Sequence, residues 1–233
     1  MDRMHALPAL IGLLLMLSTV PALAADDPLP KGFAHADEMV PGLLLDLRYA
    51  GAENFVGQRV DGYEAARVVL TAQAAEALRQ VQADLKPFGL GLKIFDAYRP
   101  TRAVAHFVRW SSMPDDPHAK HVYYPDIDKR KLFEEGYVAT RSSHSRGSTV
   151  DLTLVAIGKD GARAELDMGT AFDFFGPESW PDYTDLTGEQ RSNRLLLKLV
   201  MERHGFKPFD KEWWHFTLQD EPFPDTYFDF PVR

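Results

Sequence analysis

Residues 142–151 read SSHSRGSTVD, a histidine and an aspartate set seven apart among small polar residues. An imidazole nitrogen and a carboxylate oxygen are both zinc donors at about 2.0–2.2 Å, and catalytic zinc sites combine three protein ligands with one open position for water. Gly147 permits a tight bend between them, so His144 can end one element and Asp151 begin the next. The same residues also describe a plain polar turn with a capping aspartate and a surface histidine. A metal site needs a third ligand, and His35, His106, His118, His121, His204 and His215 are the other candidates beyond the first 24 residues. His215 stands in the aromatic run KEWWHF, three residues after Glu212. It is either a hydrogen-bonded core histidine or a ligand. Glu212 favours the ligand reading, because a zinc hydrolase needs a carboxylate beside its water to take a proton and later return it to the leaving amine. Three residues along a regular strand point to opposite faces, so the pairing requires a bend near Asp210 and Lys211. Arg99, in DAYRP, offers a cation against the charge that builds on a carbonyl oxygen under attack. Its other use is an ion pair with Asp96.

Composition limits what surrounds these residues. The 233-residue chain is 45% hydrophobic and 26% charged, carries a net charge of −8 and has no cysteine. Disulfides, a thiolate nucleophile and cysteine zinc sites are excluded. No cluster of Lys and Arg appears, which argues against nucleic acid as a partner. Arg3 precedes the apolar run ALPALIGLLLMLSTVPALA (6–24), which ends in the small-x-small triplet Ala22-Leu23-Ala24. This is the pattern of a signal peptide over 1–24, and it implies an exported, periplasmic protein in a Gram-negative host; the alternative is an uncleaved membrane anchor, which Pro8, Pro21 and the Ala-rich end disfavour. No cysteine follows to carry a lipid, and no second apolar run is long enough to span a membrane, so no membrane partner is expected after cleavage.

The elements that must position the candidates follow from pattern. Leu43 to Leu47 is an extended apolar stretch. Thr71 caps a helix over 72–86, with Ala75, Leu78, Val81 and Leu85 on one face. Alternation marks a strand from Leu90 whose polar end, Asp96 to Pro100, can carry site residues. A second helix starts near Arg102 with Val104, Phe107 and Val108. Residues 111–141 read as a long irregular insertion, of the kind that forms lids or binding walls. A hairpin follows over 148–166, turning at Asp160-Gly161, and then a compact loop, DMGTAFDFFG. Thr187 and Gln190 have capping-box spacing for a helix that stops at Gly205, before an aromatic strand over 206–218. Mixed strands and helices with local hairpins predict a single α+β domain over 25–233, its mainly antiparallel central sheet flanked by helices, and the candidate ligands, if they meet, make its cleft a zinc site.

Five ordered segments, DLRYAGAENFVG (46–57), DAYRPTRAV (96–104), SSHSRGSTVDLTL (142–154), MGTAFDFF (168–175) and EWWHF (212–216), together resemble the zinc D-alanyl-D-alanine dipeptidases. These belong with the zinc D,D-peptidases of hedgehog-like metal fold, and the likeness runs from about residue 40 to the end of the chain. It implies one zinc ion on His144, Asp151 and His215, Glu212 as general base and acid, and Arg99 stabilising the oxyanion. Asp173 matches a carboxylate directed at the substrate ammonium and Ser142 a serine near the bound dipeptide. Each is otherwise a loop-capping side chain. Thr149 departs from the family's usual alanine. The expected substrate is a small D,D-dipeptide in a closed cavity. The alternatives are a D,D-carboxypeptidase on longer wall peptides and a non-catalytic zinc-containing wall-binding module.

Overall fold

The computed structural model describes Met1 and residues 29–233, so the leader read at 1–24 lies outside the described residues apart from Met1. In chain order the elements are β1 (Phe33–His35), α1 (Ala36–Met39), β2 (Leu44–Leu45), β3 (Val69–Thr71), α2 (Ala72–Leu85), β4 (Leu90–Asp96), α3 (Thr101–Ser111), α4 (Pro117–Tyr123), β5 (Thr149–Ile157), β6 (Arg163–Glu165), α5 (Gly188–Arg203), β7 (Phe206–Phe209) and β8 (Glu212–Leu218). The main sheet runs β2-β4-β5-β8-β7, with β6 also on β5, and β1 pairs β3 in a small second sheet. Among the described strands, every pairing is antiparallel except β2 with β4.

Strand β5 is buried from Thr149 through Val155 and is paired on both sides, which suits its run of β-branched and apolar residues. Thr71 caps α2 by accepting from the Ala74 N–H at 3.3 Å, and Ala75, Leu78, Val81 and Leu85 face the core. The reciprocal capping box of Thr187 and Gln190 opens α5. Tyr49, Phe55, Phe107, Trp110, Phe172 and Phe175 form an aromatic cluster, four of which, Tyr49, Phe55, Phe107 and Phe175, face the cleft.

Three expectations change in detail. The extended run at 43–47 keeps only Leu44–Leu45 as strand. The insertion at 111–141 is not irregular throughout: Pro117 sits in the first turn of α4 behind the Asp116 cap, a position that proline tolerates. Tyr124, Leu132 and Val138 from the same segment are buried. The aromatic stretch after Gly205 is two strands, β7 and β8, turned at Asp210-Lys211.

Candidate metal centre

His144 lies in a 3-10 turn over Ser143–Arg146, with Ser142 as its cap. Gly147 ends the turn at φ +84°, and a Cβ there would stand 2.2 Å from Cε1 of Phe33. Only glycine meets both demands. The buried His144 ring has Nδ1 2.7 Å from the Ala97 carbonyl oxygen. A carbonyl only accepts, so Nδ1 carries the proton and the Nε2 lone pair faces the cleft. Nε2 stands 3.3 Å from Asp151 Oδ2 and 3.2 Å from His215 Nδ1.

The sheet register supplies the rest. Asp96 of β4, Asp151 of β5 and His215 of β8 are directly opposite one another in three adjacent strands. His215 Nδ1 is 3.2 Å from Asp151 Oδ1, while its Nε2 is 3.2 Å from the Ser143 hydroxyl, which holds the ring. Glu212 Oε2 lies 3.3 Å from His215 Nδ1. Glu212 opens β8 directly after the Asp210-Lys211 turn, the bent strand entry that this requires, and a bulge adds to the bend. The β7–β8 register steps from Pro208↔Phe216 to Phe209↔Glu212, so Trp213, Trp214 and His215 answer no residue of β7. This bulge lies between the two chemical residues and turns both toward the cleft. The buried indoles of Trp213 and Trp214 anchor it from behind.

Arg99 makes the foreseen ion pair with Asp96 and also lines the cavity. Its Nε and Nη2 donate to Asp96 Oδ2 at 2.9 and 2.8 Å, and Nη2 reaches Asp151 Oδ2 at 3.5 Å. The guanidinium lies 5.0 Å from the Tyr49 ring and 5.2 Å from the Phe107 ring. Burial opposes its charge, yet Asp96 above all keeps its pKa well above the ordinary value. It is a fixed cation at every working pH.

Asp173 is buried, and the Tyr49 hydroxyl donates to its two oxygens at 3.1 and 3.0 Å. Burial, then the charge of Asp151, pushes its pKa well above the carboxylate range. His144, Asp151, His215, Glu212, Arg99 and Asp173 line one cavity of about 470 Å³, with Tyr137 and Val138 of the insertion forming part of its wall. The cavity is not closed, because Ala139, Arg141 and Lys207 on its lining are exposed to solvent.

Residues 30–233 match the M15 peptidase family, described as D-ala-D-ala dipeptidase. The chain belongs to this family. It is 43% identical to a D-alanyl-D-alanine dipeptidase of Enterococcus faecium over 87% of this chain and 98% of that one. A D-alanyl-D-alanine dipeptidase of Streptomyces coelicolor is 45% identical over 86% of this chain and 98% of its own length. One from Escherichia coli is 35% identical over 76% of this chain and 80% of its own.

As an M15 peptidase the chain is a zinc metallopeptidase, and its residues fit the ion. One donor atom each from His144, Asp151 and His215 lies within 4.8 Å of the others. Asp151 Oδ1 is buried and accepts no hydrogen bond despite its closeness to His215. A buried carboxylate oxygen left without a donor is costly, and a cation at the centre of the triad satisfies it. Among the other histidines, His106 pairs with Asp61 and His204 with Asp84, away from this centre.

Ser142 lines the cavity, but its hydroxyl also accepts from the His144 N–H at 3.3 Å, so the turn uses it as well. Thr149 sits across from Thr217, and their hydroxyls are 2.9 Å apart. The extra hydroxyl therefore bonds between strands and leaves the ligands alone. Three contributors escaped sequence reasoning: Tyr49, Ser143 and the Ala97 carbonyl. Tyr49 and Ser143 stand inside quoted motif segments, but only the fold shows what their hydroxyls touch. A backbone carbonyl has no signature in the side-chain sequence.

Proposed function

We propose that this enzyme hydrolyses the peptide bond of D-alanyl-D-alanine, with zinc held by His144, Asp151 and His215. The observation that carries the reading is Glu212 and His215 brought together by the β8 bulge, beside a fixed Arg99. Zinc, when bound, supplies a Lewis acid and lowers the pKa of water at its open position. Glu212 takes the proton of the attacking water at its carboxylate and passes it to the leaving amine nitrogen. Arg99, pinned by Asp96, faces the charge that develops on the carbonyl oxygen. Such a preorganised donor contributes about 2.7–4 kcal/mol in comparable oxyanion sites. Asp173, steadied by Tyr49, receives the substrate ammonium, and Ser142 lies near the dipeptide backbone.

The experiment is purified enzyme given the dipeptide and, separately, a wall pentapeptide ending in the same pair, with free D-alanine followed. Cleavage of the dipeptide supports the reading. Cleavage of the pentapeptide alone replaces it with the carboxypeptidase, which the solvent-exposed side of the cavity keeps in play. We also infer export to the periplasm from the leader at 1–24. No helix among the described residues is long and apolar enough to cross a membrane. Cell fractionation with N-terminal sequencing checks this, and a cytosolic protein beginning at Met1 would refute it.

A further inference from the structure

Helix α5 contributes no residue to the metal centre, yet one of its side chains governs the loop that carries Asp173. Arg194 is 6% exposed. Its Nε donates to the Met168 carbonyl at 2.6 Å, its Nη1 to the Trp180 carbonyl at 2.9 Å and its Nη2 to the Glu178 carbonyl at 2.8 Å. One guanidinium thereby joins the start of the 168–180 loop to its end. It makes no ion pair with a carboxylate among the described residues, and burial draws its pKa down to about 10. A charge kept in such surroundings is costly, and what it secures is the closure of this loop. Neighbours on the same helix grip the same loop from outside. Asn193 Nδ2 donates to the Asp167 carbonyl at 2.9 Å, and Gln190 Nε2 donates to Asp167 Oδ2 at 2.8 Å.

Between the clasped ends stands Asp173 at φ +63°, the one non-glycine residue with positive φ among the described residues. An aspartate holds that conformation only where its surroundings impose it. Within the loop, Ser179 Oγ donates to the Phe174 carbonyl at 2.7 Å, and Thr170 accepts from the Trp213 indole at 2.8 Å. These bonds, with the Thr170 and Ser179 hydroxyls 3.0 Å apart across the loop, tie it to itself and to the β8 bulge, while Arg194 joins the same two ends from outside through three carbonyls.

We propose that Arg194 is a positioning residue for recognition of the substrate amine: by closing the 168–180 loop it fixes where the Asp173 carboxylate meets the ammonium. The inference rests on the reading of Asp173 given under the proposed function. A lysine at 194 keeps the charge but presents a single nitrogen, so it cannot hold three divergent carbonyls.

The test is the preference of the zinc-loaded enzyme for D-alanyl-D-alanine over its N-acetylated form, taken as a ratio of kcat/KM. For Arg194→Lys we expect that ratio to fall roughly tenfold, through a raised KM for the free amine, with kcat and zinc content near wild type. Asn193→Ala, which changes only a partly exposed contact of the clasp, should shift the ratio the same way by less. It decides the matter if Arg194→Lys does not fold. Equal losses on both substrates, or an unchanged ratio, overturn the proposal. Asp173→Asn separates the two levels. If it keeps the amine preference, the reading of Asp173 fails and the proposal with it. If it abolishes the preference while the Arg194 and Asn193 variants retain it, the positioning role alone fails.

Discussion

Glu212 and Asp173 are both carboxylates on the cavity wall, and their surroundings differ. Glu212 stands beside His215, one of the three grouped donors, without being one of them itself. Glu212→Gln should therefore retain zinc, measured by metal analysis, while kcat falls by about 10²–10⁴-fold, the range lost with a positioned general base. Loss of the metal in that variant would make Glu212 a ligand instead. Asp173 is buried first and repelled by Asp151 second, so its carboxyl stays protonated well above the ordinary range. Only the ionised form attracts an ammonium strongly. KM for the dipeptide should therefore fall as pH rises through the Asp173 ionisation, until the substrate amine itself begins to lose its proton. Asp173→Asn should raise KM and flatten that limb, and a limb that survives the substitution assigns it to another group. Thr149, the departure from the family pattern, spends its hydroxyl on Thr217.

The site depends on two local departures from regular structure, a left-handed glycine and a bulge, and they differed in how visible they were beforehand. Gly147 was readable because a glycine between His144 and Asp151 signals a bend, and the bend is there at φ +84°. Gly147→Ala meets the Phe33 ring in a conformation that alone costs about 1–3 kcal/mol. It should lower Tm by several degrees and weaken zinc binding, both read by thermal unfolding with and without the metal. An unchanged Tm would mean that Phe33 yields freely. The caps at Thr71 and Thr187 were equally legible, since a cap is written within a few residues of chain. The bulge was not. Its need could be deduced from Glu212 and His215 standing three apart, but its place depends on which residues of β7 pair with β8, a non-local fact. The same holds for the parallel pairing of β2 with β4 and for the small core within 111–141.

At the scale of the whole molecule, the metal centre joins elements that are distant in the chain: the turn after Ser142, the start of β5 and the middle of β8. Binding an ion there couples the parts and stabilises the fold by mass action. The ion must first displace a proton. In the metal-free protein, burial pulls the His215 pKa down, but the carboxylates of Asp151 and Glu212, 3.2 and 3.3 Å from its Nδ1, prevail and raise it to about 9. Because this folded value lies above the ordinary 6.5, the contribution of charged His215 to metal-free stability is complete below 6.5 and is lost as pH rises through about 9. A protonated imidazole cannot ligate, so zinc binding in the neutral range releases that proton. Zinc affinity should rise with pH from neutrality and level off above about 9. Titration calorimetry in buffers of different ionisation enthalpy should show about one proton released per zinc at neutral pH. The Tm gap between zinc-loaded and metal-free protein should widen over the same interval. Zinc binding with no proton release and no pH dependence would mean that His215 is already neutral, and that its two carboxylate neighbours do not hold its proton.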